Sequence, residues 1–471
     1  REVVYDSILT KKKKQLHEKI AGAMEDIYKD DICYHYGVLS GHCIASENYE
    51  KGAEYARLEA RKYHKAGSYR DAISYAKKSI ACLERLPQTE HIQKKLIDTR
   101  VVLSVYYLSL NYHIEAKEAV EPIVDVAVAL NYQKGLPGIY TAIGLYNIWV
   151  EEDFSKGIHY LKDVFEISSK VGDFVALWMG NYQLGCAMCL DYQFKESLEC
   201  LKKSLDLSLM ANNLIGISFS KSAIAMNYHV QGKADLALLV CKEALQAATE
   251  SGDILAKQPA YTNYGVACYY KGHLDEAEKY LLEAMAYHEK AFTASWGAYA
   301  AHFLGLSYHD MGNYDKAKKY HQQGVLILED ARFTPSWVNC HKLWMKNKRI
   351  LNGESDIDAN KLDELMKAHE KNRSANSKSM ESRCIGEIFL HIDDQHMAKA
   401  ETWIRRSIDF DAMHAMPWQL GKDHALYADW FKKKGDIQGA KAQLLKAIDL
   451  FRECGADGWV TRTEKTLAAL S

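Results

Sequence analysis

Apolar residues recur at i, i+3, i+4 and i+7 through nearly every segment of the chain, as in Tyr280-Leu281-Leu282 to Ala284-Met285. That spacing puts one apolar stripe along a helix. The stripes are punctuated by a recurring turn: Gly, Asn or Asp, then an apolar or aromatic residue, two polar residues and a small one. Gly67-Ser68-Tyr69-Arg70-Asp71-Ala72 and Gly272-His273-Leu274-Asp275-Glu276-Ala277 are examples, as are Gly312 to Ala317 and Gly435 to Ala440. The small residue falls at Ala72, Ala116, Gly157, Ser197, Ala237, Ala277, Ala317, Ala400 and Ala440, mostly 40 apart. The interval of 83 between Ala317 and Ala400 holds a degenerate copy, with Ile357 at the turn and Asn360 at the small position. An earlier half-unit carries Tyr49 and Gly52.

Twelve residues upstream of that position a second small residue recurs: Ala60, Ser104, Gly185, Ala225, Gly265, Gly305 and Ala428. Seven residues downstream a third often follows: Ala244, Ala284, Gly324 and Ala447. Small side chains let helices A and B of a hairpin approach closely, while aromatic and aliphatic residues fill the groove to the next hairpin. The pattern predicts an all-α solenoid of about ten helical hairpins with no strand, including a hairpin with helix A over Ser336 to Lys348 and helix B over Ala359 to Lys371.

This ladder resembles the tetratricopeptide repeat over about residues 33–471, with a period of 40 in place of the family's 34. The resemblance implies a right-handed superhelix spanning residues 32–471, whose A helices line the concave face. Residues 1–31 do not fit the repeat and are expected to form a helical linker. There Glu2-Val3-Val4-Tyr5-Asp6-Ser7-Ile8-Leu9, the basic run Lys11 to Lys14, and Leu16-His17-Glu18-Lys19-Ile20-Ala21 resemble the segment joining a STAND-type ATPase to its repeats. The closing Leu444 to Phe451 and Cys454 to Trp459 resemble the last repeat of bacterial signalling ATPases of that kind, most of all those attached to class III adenylate/guanylate cyclases. The resemblance implies a cytoplasmic bacterial module that regulates an upstream ATPase or cyclase. The chain lacks an initial Met and begins mid-pattern, so it is expected to be a piece of a longer polypeptide. A free-standing repeat adaptor is the rival reading.

Composition narrows the function. Lys+Arg of 60 against Asp+Glu of 62 gives net charge −2, which disfavours a nucleic-acid binder. Six prolines leave few helix breakers, and eleven scattered cysteines form no disulfide framework. No stretch approaches the apolar length of a membrane span. Neither a phosphate-binding loop nor a Gly-x-Ser-x-Gly elbow nor a His-Glu-x-x-His zinc motif occurs, so no enzyme activity and no cofactor are expected. Cys186-Ala187-Met188-Cys189 is the only Cys-x-x-Cys and reads as helix packing. His302 and His309 lie seven apart on one helical face and read as groove lining, because a metal site would need a third ligand. An enzyme using a groove His is the remote alternative.

If A helices line the groove, its inward positions lie at −6, −3, +1, +4 and +5 from the first small residue. In the central units these include Tyr182, Cys186, Phe219, Met226, His229, Thr262, Tyr269, Tyr270, Tyr299, His302 and His309. An aromatic, weakly charged surface of this kind suits a protein or peptide partner.

Overall fold

The computed structural model describes residues 10–172, 174–291, 293–351, 359–372 and 374–470, and among these residues there is no strand. Two compact units divide the chain: residues 1–146 with 163–172, and residues 147–162 with 173–471. The helices run α1 (Thr10–Ile27), α2 (Tyr36–Ala45), α3 (Tyr49–Lys65), α4 (Tyr69–Leu83), α5 (Glu90–Ser109), α6 (His113–Val120), α7 (Val124–Ala129), α8 (Leu136–Trp149) and α9 (Phe154–Val171). They continue as α10 (Phe174–Leu190), α11 (Phe194–Met210), α12 (Leu214–Val230), α13 (Ala234–Ser251), α14 (Ile254–Lys271), α15 (Leu274–Ala291), α16 (Ala294–Asp310) and α17 (Tyr314–Asp330). The last are α18 (Pro335–Leu351), α19 (Ala359–Lys371), α20 (Ala375–Ile392), α21 (Met397–Met413), α22 (Pro417–Lys433), α23 (Ile437–Glu453) and α24 (Asp457–Ala468).

The basic run and Leu16 to Ala21 of the expected helical linker lie together in helix α1, where Lys14 pairs with Glu47 at 2.5 Å. Residues 1–9 lie outside the described residues.

The small-residue ladder is the packing device. Ala72, Ala116, Ser197, Ala237, Ala277, Ala317, Ala400 and Ala440 are fully buried. A Cβ at Gly185 would stand 2.5 Å from Leu201, and one at Gly265 would stand 2.6 Å from Leu281. Both leucines occupy the slot four residues after the ladder position, one turn along helix B. Glycine there lets the two helix backbones meet over a leucine, and the Ser197 hydroxyl reaches across the same seam to donate to the Gly185 carbonyl at 2.7 Å.

The degenerate repeat also forms its hairpin: α19 has the bounds expected, and α18 starts one residue before Ser336 and runs three residues past Lys348. Ile357, assigned to its turn, lies outside the described residues. One unit departs from the register. Its close approach is at Gly386, where a Cβ would lie 2.9 Å from Ile404 Cγ1. That is 14 residues before Ala400 rather than 12, because a 3₁₀ turn over Asp394–His396 is inserted between α20 and α21.

In the second unit the solenoid closes on itself. The C-terminal ends of α12, α14 and α16 meet the last hairpins. Ala234 donates its amide to the Cys454 carbonyl at 3.2 Å. Lys271 bridges Asp235 and Asp457 at 2.9 and 2.8 Å. Two glycines allow the closest touch. Gly272 has φ 84°, and a Cβ on it would be 2.4 Å from the Trp459 amide nitrogen; one on Gly458 would be 2.7 Å from the Gly272 carbonyl carbon.

Candidate functional site: a polar cavity inside the second unit

Where the last hairpins close, the A helices α14, α16, α18, α20 and α22 enclose, with α23 and α24, a cavity of about 380 Å³. Its aromatic wall is set by the closure. The Trp418 indole donates to the Tyr270 carbonyl at 2.8 Å, and the Trp459 indole donates to the Tyr269 carbonyl at 2.7 Å. Those carbonyls belong to the last turn of α14, beyond the regular helical ladder, and that of Tyr269 also accepts from the Gly272 amide at 2.9 Å. Tyr269 sits between Trp418 and Trp459, with both ring centroids at 5.6 Å.

Charges of both signs line the rest. Lys422 pairs with Asp310 at 2.8 Å and lies over the Trp459 ring at 3.9 Å. Tyr269 donates its hydroxyl to the other Asp310 oxygen at 2.9 Å. Burial works to raise the Asp310 carboxyl, but Lys422 and the tyrosine hydrogen bond outweigh it and hold the group below its ordinary range. Glu387 pairs with His309 Nε2 at 3.2 Å and accepts from Asn347 at 2.6 Å. It too is held low: burial opposes ionisation, and His309 and Lys348 overcome it. Arg383 reaches from α20 to Asp423 at 3.2 Å and to the carbonyl and side-chain oxygens of Gln419 at 3.1 and 2.5 Å. Behind it, burial pushes Asp411 and Asp423 up, and the charge of Asp423 pushes Asp411 further, so the pair retains a proton beside one guanidinium.

Lys348 lies fully buried behind this wall, against His309 Nδ1 and 4.4 Å from the Trp344 ring. Burial brings its ammonium down to about 8. A lysine whose folded pKa is depressed binds fewer protons folded than unfolded between about pH 8 and the unfolded value near 10.4, so its contribution to stability rises with pH across that window. Lys348→Met removes that ammonium and, with it, a cation that helps hold Glu387 ionised. Its stability relative to the wild type is expected to fall between pH 8 and pH 10, by about 1–3 kcal/mol. Urea unfolding of both proteins at the two pH values measures the difference, in which the buried thiols and tyrosines cancel.

Of the residues expected to line a groove, Tyr269, Tyr270 and His309 line this cavity. Tyr182, Phe219, Met226, His229, Thr262, Tyr299 and His302 do not. Tyr182 packs edge-on against Phe219, and Met226 is buried with Tyr182 in the same cluster. His229 is fully buried, 3.2 Å from the Tyr299 hydroxyl and stacked on Tyr270. Thr262 returns its hydroxyl to the Gln258 carbonyl. His302, read as groove lining with His309, is instead fully buried beside His321 and His341. Cys186 and Cys189 are buried, and burial pushes both thiols up, Cys186 to about 12, which makes them packing residues and not redox groups.

The charged half of the cavity was missed, although the register contains it. Position +5 from Gly305 is Asp310, and positions −6 and +1 from Ala428 are Lys422 and Asp429. Counting from Gly386 gives Met380, Arg383 and Glu387 at −6, −3 and +1. Those three become visible only once the insertion between α20 and α21 is known.

Comparison with known proteins agrees with this architecture. The tetratricopeptide repeat family model matches residues 258–330, which run from within α14 to the end of α17. A solved Rap protein complexed with competence and sporulation factor is similar at TM-score 0.51 and 16% identity, over 89% of this chain and 99% of that one. A Rap conjugation gene regulator of plasmid pLS20, in complex with the Phr* peptide, is similar at TM-score 0.53 and 14% identity, over 77% and 95%. The fold is a tetratricopeptide-type α-solenoid. A STAND protein with a tetratricopeptide repeat sensor from Pyrococcus horikoshii matches at TM-score 0.35 and 14% identity, over 84% of this chain and 55% of that one; at that score the likeness carries no argument. No curated protein sequence matches the chain. Among the described residues no helix of this solenoid is long and apolar enough to cross a membrane.

Proposed function

We propose that this solenoid is a non-catalytic sensor module that takes a short peptide, free or as a segment of a protein, into the cavity of its second unit. The observation that carries this reading is the cavity itself: about 380 Å³, walled by Tyr269, Tyr270, Trp418 and Trp459, with Lys422, Arg383, Asp310 and Glu387 facing inward. Its volume lies in the range of ligand pockets, and a few placed polar groups among aromatics fix orientation. Fixed charges of both signs suit a backbone with termini and mixed side chains better than a purely apolar ligand. Two solenoids of the same fold were solved with a competence and sporulation factor and with the Phr* peptide, which supports a peptide as the class of ligand. Occupancy would be read out by an ATPase or cyclase domain N-terminal to these repeats, and this requires the ligand to favour one state of that domain over the other.

Asp429 and Arg462 line the cavity and are exposed, so they mark its mouth. Selection of short linear peptides from a random library on the purified chain should yield binders. Asp429→Arg and Arg462→Glu should each change their affinity about tenfold, roughly 1.4 kcal/mol, while thermal midpoints stay within a degree or two. Peptides whose affinity neither reversal alters would place the ligand elsewhere, and a library yielding no binder would remove the reading.

A further inference from the structure

Three histidines from three successive helices converge in the core of the second unit: His302 on α16, His321 on α17 and His341 on α18. All three are fully buried. One ring nitrogen from each can be chosen so that the three lie within 4.8 Å of one another. His321 Nδ1 and His341 Nδ1 are already 3.1 Å apart. Three nitrogens bound tetrahedrally to one zinc ion at about 2.0–2.1 Å stand about 3.3 Å from each other. One edge of such a triangle is therefore formed, and a His302 nitrogen lies within 4.8 Å of both its ends.

The hydrogen-bond inventory points the same way. Among the described residues neither nitrogen of His302 has a partner, nor has Nε2 of His321 or of His341. Neutral imidazoles each carry one N–H and one lone pair. The single contact between His321 and His341 uses one of each, so two lone pairs remain buried with no donor. Leaving such groups unmet costs free energy, and a cation would take up the lone pairs of all three imidazoles at once. Burial drives all three rings towards the neutral form, His341 to about 3, which is the form that ligates.

Register shows that the cluster is built in and not incidental. Position +4 of helix B is Ala76, Val120, Leu161, Leu201, Cys241, Leu281, Ile404 and Leu444 in eight other units, all buried; only the degenerate unit departs, with exposed Glu364. At 321 it is histidine. Gly305 makes the space, since a Cβ there would lie 2.4 Å from His321 Nε2. Gly324 does the same for the third ring, where a Cβ would lie 2.2 Å from His341 Cε1. Trp337 stands edge-on to His302 at 4.9 Å and Trp344 is stacked on His321 at 6.0 Å, closing the site with bulky rings.

We propose that His302, His321 and His341 form a structural site for one divalent transition cation of zinc-like character, bound through three imidazole nitrogens. The place is apt. The site ties the hairpin α16–α17 to α18, the first helix of the unit whose ladder is degenerate, with Asn360 in place of a small residue. The ion would supply there a tie that the ladder supplies elsewhere.

The test uses the untagged full chain. After chelation and desalting, zinc, nickel and cobalt ions are titrated back, with metal content measured by mass spectrometry and stability by thermal unfolding. About one equivalent of tightly held metal is expected, with a rise of several degrees in the midpoint. His321→Leu installs the residue carried at this slot in four of the other units, beside a glycine as Leu281 lies beside Gly265. It should fold and lose the metal-dependent rise and at least tenfold in affinity. His302→Phe, which keeps a ring in the space, should do the same. X-ray absorption of the zinc form should show imidazole scattering without sulfur. A wild-type midpoint unmoved by all three metals, or a rise of equal size in His321→Leu, would overturn the proposal.

Discussion

Trp459→Ala is expected to destabilise the second unit by about 3–5 kcal/mol, the range for removing a buried tryptophan. The ring is 6% exposed, packs on Tyr269, Trp418 and Phe451, and carries the Lys422 ammonium on its face. It belongs to the last helix of the chain, so a cost of that size can arise only if α24 is docked on the end of α14. Trp459→Phe separates two contributions. It preserves most of the packing but removes the N–H that reaches the Tyr269 carbonyl, which still accepts from the Gly272 amide, and should cost about 0.5–1.5 kcal/mol, the net worth of one hydrogen bond. Urea unfolding monitored by helical circular dichroism measures both. A loss below about 1 kcal/mol for the alanine variant, typical of exposed positions, would mean that the last helix does not close the cavity.

Arg383→Met is expected to cost about 3–5 kcal/mol at pH 7, since it leaves buried Asp423 without its cation. The companion carboxyl, Asp411, already retains a proton, so the variant's remedy is to protonate Asp423 as well. Its carboxyl pKa then rises further above the unfolded value. A carboxyl with a raised folded pKa loses its stabilising contribution as pH climbs through that value. The deficit of the variant should therefore be smallest near pH 5 and grow towards pH 8. Asp423→Asn in the Arg383→Met background should recover part of the loss by removing the charge while retaining a group that can accept from Ser407, now 2.8 Å from Asp423. A pH-independent deficit, or no recovery in the double variant, would show that Arg383 contributes through packing alone.

How far the sequence revealed these features depends on how locally each is encoded. The hairpins were legible because every repeat restates the same small-residue contact, so Gly185 on Leu201 and Gly265 on Leu281 are one fact written twice. The degenerate hairpin was legible from the register of its neighbours even with Asn360 at the ladder position. The cavity was only half legible. Tyr269 and Tyr270 lie at inward positions, but the sequence could not show that Trp418 and Trp459 return to cover them, some 150 to 190 residues later in the chain. On the sequence alone, truncating Tyr269 should cost little stability. With its ring 2% exposed, Tyr269→Ala becomes a core truncation. The histidine cluster was hidden for another reason. His302 was paired with His309 because both lie on one helix, whereas the rings that reach His302 come from the next helix B and the next helix A. The visible signal was His321 in a slot that is apolar in every unit but the degenerate one.

The reading of the cavity as a peptide site meets its most direct test in hydrogen–deuterium exchange of the whole chain, with and without a peptide selected as above. A peptide held inside should slow exchange in the last turns of α14 and α16 and along the inward faces of α20, α22 and α24, with the first unit unchanged. Slowed exchange confined to the B helices, or to the first unit, would contradict a ligand held in the cavity.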